Sequence, residues 1–178
     1  MRKKKNSTEK IWIIKIVLLS FIISVIFSLI SETAIPNVGI IIGIFICLIF
    51  IIIGIIFDMV GVSVTASDES IFHSMASRNV KGAKIAVKLK KNASKVSSFC
   101  NDVVGDICGI ISGSTGTVIT LKIVEKFEFN SLLTTLIIMG IISALTIGGK
   151  AIVKEIAIKK SNDILFRFAK ILNMFNRK

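Results

Sequence analysis

A chain of 178 residues that is 53% hydrophobic, with a single proline and a net charge of +12, at a mean hydropathy of +0.82, carries more apolar side chain than a water-soluble domain of its size. The charge does not point to nucleic acid, because Tyr is absent, Trp12 stands alone, and the Lys and Arg residues border apolar runs rather than interleave with stacking aromatics. Those runs are continuous rather than alternating, which excludes a transmembrane β-barrel.

In chain order, Arg2, Lys3, Lys4 and Lys5 precede a first apolar span from about Ile11 to Ile30. A cationic start before an apolar run resembles a signal peptide. This run, however, is long enough for an uncleaved transmembrane helix, and the Ser-Glu-Thr-Ala after it is a weak cleavage site. Pro36, Asn37 and Gly39 make a turn, and a second span runs over about 40–66. From Gly39 to Phe57 nineteen residues pass without a charge. That length crosses a hydrocarbon core ~30 Å thick at ~1.5 Å per helical residue.

The stretch 67–97 is polar and holds seven basic residues, Arg78, Lys81, Lys84, Lys88, Lys90, Lys91 and Lys95. Ile71, Phe72 and Met75, then Ala83, Ala86, Val87 and Lys90, recur at three- and four-residue steps. This predicts two short amphipathic juxtamembrane helices within 69–95, split near Asn79 and Gly82 and lying at the lipid headgroups. A third span is expected over about 98–121. A short loop follows in which Lys122 and Lys126 are offset by Glu125 and Glu128. The fourth span covers about 132–153. A last amphipathic helix within 155–176 is entered through the capping cluster Ser161, Asn162 and Asp163, and carries Ile164, Phe168, Ile171, Leu172 and Phe175 on one stripe.

The expected class is therefore an all-α membrane protein of four transmembrane helices plus amphipathic juxtamembrane helices. Five Lys/Arg stand in the first ten residues, seven in the middle loop and eight from Lys150 onward, against none and two in the opposite loops. By the positive-inside rule both termini are cytoplasmic, and the basic stretches meet anionic headgroups of the bilayer.

Polar groups within lipid are costly, which makes them candidates for function. Asp58, Ser63, Thr65, Ser67, Asp68 and Glu69 arrive at the end of the second span. Thr65 and Asp68 are three apart, so their oxygens share a helix face and suit a hard cation; the alternative is a helix end reaching water. Asn101, Asp102 and Asp106 open the third span. The two carboxylates, at i and i+4, must bind a cation, meet a lysine or share a proton; otherwise Asp102 lies at the interface and Asp106 pairs with Lys150. Gly105, Gly109 and Gly113 recur at four-residue spacing, a pattern for tight helix packing. Gly148 and Gly149 weaken the fourth span where Lys150 enters, favouring a local break around a lysine that is either buried or snorkelling.

Cys47, Cys100 and Cys108 fall inside predicted spans and read as buried apolar side chains. His73, the only histidine, sits in the basic loop with Glu69 as its one nearby acid and reads as interfacial. No phosphate-binding loop, nucleophile elbow or zinc spacing is present, so an enzyme is not expected.

From about Gly54 to Leu172 these residues resemble the transmembrane domain of the CNNM (cyclin M) and CorB/CorC magnesium transporters, without their tandem CBS domains. Thr65-Ala66-Ser67-Asp68 stands where the family's first span ends in a Ser-x-x-Ser-Glu-like motif. Gly82-Ala83 and Asn92-Ala93 stand for a Gly-Ala step and an Asn-Pro. Asn101 to Gly116 matches a span rich in Asn and Gly, and Gly149-Lys150-Ala151-Ile152-Val153-Lys154 occupies the frame of Gly-Glu-x-x-Pro-Lys. On this resemblance residues 37–178 form the family-like domain, and residues 1–36 a basic tail with an additional span.

The resemblance implies a homodimer in a bacterial inner membrane that binds or transports a divalent cation such as Mg²⁺, held by Thr65, Ser67 and Asp68 and by Asn101, Asp102 or Asp106. Lys150 in place of the family's glutamate, and Val153 in place of its proline, depart from the pattern. A lysine inside a cation site repels the ion. The alternative is a transport-inactive structural or regulatory membrane partner in which Lys150 replaces the cation. A holin-like lesion former is disfavoured by the intramembrane carboxylates.

Overall fold

The computed structural model describes residues 2–34 and 38–175, and among them every regular element is helical. The elements are α1 (Arg2–Ala34), α2 (Ile40–Ala66), α3 (Glu69–Ser77), α4 (Ala83–Lys91), α5 (Ala93–Ser98), a π-helical segment (Phe99–Gly105), α6 (Asp106–Phe127), α7 (Ser131–Lys159) and α8 (Ser161–Phe175). Among the described residues three helices are long and apolar enough to cross a membrane: Ile40–Ala66, the continuous stretch Ala93–Phe127, and Ser131–Lys159. The protein is an all-helical membrane protein with three candidate spans among the described residues. Within α1 the apolar stretch among the described residues is Ile16–Ile30. The turn expected at Pro36 and Asn37 lies outside the described residues.

Several boundaries differ from those read in the sequence. The third long helix starts at Ala93 rather than near Ser98, since nothing after Asn92 breaks it, and it ends where Glu128 takes a left-handed φ of 53°. α7 continues to Lys159 and passes unbroken through Gly148 and Gly149. The missing side chain at Gly149 is used in packing, for a methyl there would overlap the Ile55 side chain. The split between α3 and α4 falls at Asn79 (φ 54°) and Gly82 (φ 93°). Gly82 both takes the left-handed conformation that begins α4 and lies close to α8, where a methyl would stand 3.2 Å from Lys170 Cα.

The chain forms two compact units, Met1–Ile52 with Asp106–Ser143, and Ile53–Gly105 with Ala144–Lys178. In the first, α1 packs against α6. Phe27 meets Phe50 edge to face at 6.2 Å, the Cys47 thiol points at Ser112 O at 3.6 Å, and Lys122 Nζ donates to Val38 O. A methyl on Gly116 would strike the Ile142 side chain, whereas Gly109 and Gly113 face open space. The four-residue glycine stripe is therefore not a packing seam within this unit.

In the second unit α3, α4 and α8 fold together over the end of α2. Val60, Val64, Phe72, Ala86, Cys100, Leu165 and Ala169 form its core. Phe72, Val64 and Leu165 are wholly buried, and each such side chain contributes about 1.5–3 kcal/mol by leaving water or headgroups. All three cysteines are buried.

Candidate functional site

The end of α2 and the residues after it are occupied by local hydrogen bonds. Thr65 Oγ1 donates to Val62 O at 2.8 Å, and buried Ser67 donates to Val64 O at 3.2 Å. α2 stops at Ala66 because Asp68 is extended (φ −94°, ψ 125°) and caps α3 instead. Its Oδ1 accepts from the Ser70 N–H and hydroxyl, both at 2.9 Å, while its own N–H donates to Asn162 Oδ1 at 2.8 Å. Thr65 and Asp68 thus do not share one helix face, a correction to the three-residue spacing argument. The Ser70 N–H, then the Ser70 hydroxyl and the nearby Lys90 charge, hold the Asp68 carboxyl below the usual carboxylate range. Lys90 extends back to α2, where Nζ donates to Val64 O at 3.1 Å and Thr65 O at 2.8 Å. It caps carbonyls at the negative end of that helix.

Asn101 is placed differently. It lies in the π-helical segment, a rare i to i+5 arrangement that recurs at functional sites, and its Oδ1 is buried without a hydrogen-bond donor among the described residues. The oxygen sits against Gly61 of α2, where a methyl would overlap it. Thr115 Oγ1 in the first unit is likewise buried without a partner, but a hydroxyl rotates and can donate, whereas an amide oxygen only accepts.

Asp102, in the same π segment, is exposed. Gly105 ends the segment beside Lys150, whose Nζ would be in ordinary contact, 3.5 Å, with a methyl there. The lysine is half-buried, and it forms no ion pair with Asp102. Asp106 begins α6 as an exposed residue of the first unit. Asp58 is half-buried in α2, and His73 Nε2 lies 3.1 Å from Glu69 Oε1 one turn away on α3.

Among the described residues no group of three or more His, Cys, Asp and Glu is placed to hold a metal ion. Coordination at these positions would draw on amide, hydroxyl and main-chain oxygens, which suit a hard cation that keeps part of its water.

The sequence reading missed Gly61; it named Ser63 and Asn162, but not the bonds they make to Ala157 O and to the Asp68 N–H. Ser63 Oγ lies 2.8 Å from Met59 O and 3.3 Å from Ala157 O, tying α2 to buried Ala157 of α7. A signal was present in the small residues Gly61 and Ser63, set at alternate positions after an Ile-rich run. No family model, curated protein or solved structure matches this chain.

Proposed function

We propose that this chain is a CNNM/CorB-type protein of the bacterial inner membrane that binds, and in transport passes, a divalent cation such as Mg²⁺. In this reading α1 is a fourth crossing, both termini are cytoplasmic, and the working form is a homodimer. The reading rests on the buried Asn101 oxygen. Such an acceptor, left without a donor, costs about 1–3 kcal/mol, and a partly hydrated cation offsets that cost by taking the oxygen as a ligand. Asp102, one residue on, supplies negative charge. Titration calorimetry of the detergent-purified chain with Mg²⁺ tests it. Asn101→Ala and Asp102→Asn are each expected to weaken binding about tenfold or more, a loss of ~1.4 kcal/mol. In cells lacking other magnesium transporters, Asp102→Asn should reduce magnesium-dependent growth. Unchanged affinity and growth in both variants would sink the reading.

One observation favours a second reading. Lys150 Nζ lies beside Gly105 at the end of the π segment, so the ammonium supplies positive charge of its own and the protein acts as a transport-inactive membrane partner. In that case the wild-type chain shows no heat with Mg²⁺ and Lys150→Glu acquires binding. Binding by the wild-type chain that Lys150→Glu leaves unchanged would remove this alternative.

A further inference from the structure

A groove of about 400 Å³ runs between the last part of α2, the end of α7 and α8, all within the second unit. Its wall is apolar, with Met59, Phe168 and Ile171 among the lining side chains, and three charged residues stand along it: Lys160, Asp163 and Arg167. α7 is a candidate membrane span that ends at Lys159, and its last turns carry Lys154, Glu155 and Lys159, so Lys160 stands at the polar end of the span, where headgroups are met.

The charges are not consumed internally. Lys159, next in sequence, pairs with Glu155 at 2.5 Å, but Asp163 forms no ion pair with Lys160 or Arg167. Both basic residues are exposed. Two cations over an apolar wall match a molecule with a phosphate at one end and a hydrocarbon chain at the other, and the volume falls in the range of ligand-binding clefts, about 300–1,000 Å³.

We propose that this groove is a selective site for one anionic phospholipid, with its phosphate between Lys160 and Arg167 and the start of an acyl chain along Phe168 and Ile171. Asp163 favours a headgroup that carries hydroxyl donors, such as glycerol, because those can donate to its carboxylate. The site does not depend on the cation reading.

The test is native mass spectrometry of the full chain in a neutral maltoside detergent, titrated with phosphatidylglycerol or phosphatidylcholine of the same acyl chains. Phosphatidylglycerol should be retained about tenfold more tightly. The preference should vanish in Lys160→Gln/Arg167→Gln and persist in Lys160→Arg/Arg167→Lys. It should also persist in Lys84→Gln/Lys91→Gln, which removes two exposed charges elsewhere. Equal retention of both lipids, or equal loss in the Lys84/Lys91 control, would overturn the proposal in favour of a plain apolar groove or diffuse charge. Displacement of phosphatidylglycerol by millimolar inorganic phosphate would overturn it in favour of a free-anion site.

Discussion

The two units of this protein hold their helices by different means. In the first, polar side chains mostly turn back on their own helix: Ser112 donates to Cys108 O and Thr120 to Gly116 O, each at 2.8 Å, while fit between helices comes from contacts such as Phe27 on Phe50 and Ile142 over Gly116. In the second, polar groups join residues distant in sequence: Lys90 to Thr65, Asp68 to Asn162, Ser63 to Ala157. Lipid gives no hydrophobic drive between helices, so the first unit depends on shape. The second has a core around Phe72, and burial and directional bonds together specify it. Chemistry that needs fixed polar groups is better served by the second arrangement.

The largest test of this contrast compares two phenylalanines. Phe72 is fully buried in the second unit, whereas Phe45 of the first is 63% exposed on α2. Phe72→Ala should lower the unfolding free energy in detergent by about 3–5 kcal/mol, and Phe45→Ala by no more than about 0.5 kcal/mol. Thermal unfolding of both variants in one detergent decides it, and equal losses would break the comparison.

A smaller effect sharpens the picture at the π segment. Gly61→Ala places a methyl where Asn101 Oδ1 now lies, so the amide must move, at an overpacking cost of about 1–3 kcal/mol. Asn101→Ala removes the obstacle together with the unpartnered acceptor, and alone it should be close to neutral. In the double variant most of the Gly61 cost should disappear, a coupling of at least about 0.5 kcal/mol. Additive losses would show that the two residues do not touch.

How legible these features were depends on whether their cause is local. α2 could be read from Ile40 to Ala66 because a charge-free apolar run as far as Phe57 marks most of it, and the break between α3 and α4 because Asn79 and Gly82 are residues that tolerate positive φ. The π segment carries no such mark, since Phe99–Gly105 is equally able to form an α-helix. Its neighbours Gly61 and Lys150 come from other helices and only folding brings them in. Gly148 and Gly149 were misleading for the same reason: local propensity favours a break, and the Ile55 side chain packed on Gly149 favours continuity. Lys90 could be placed on one stripe with Ala83, Ala86 and Val87, but its bonds to the Val64 and Thr65 carbonyls cannot be seen from spacing.

The smallest expected effect concerns acid. Asp68 is fully exposed, yet its carboxyl is held below its ordinary value by the Ser70 N–H, the Ser70 hydroxyl and Lys90. A group whose folded pKa is depressed adds stability above its unfolded value, about 3.9 for Asp, and that contribution is lost as pH falls through the folded value. Asp68→Asn keeps an oxygen able to cap α3 but cannot titrate. The wild-type chain should therefore unfold slightly later than Asp68→Asn at pH 7, and the difference should shrink below about pH 4 and close on further acidification. A gap that widens with acid would mean that the charged form is not what Ser70 and Lys90 hold. The link between α2 and α3 would then rest on the Asn162 bond to the Asp68 N–H, which an Asn at this position preserves at every pH.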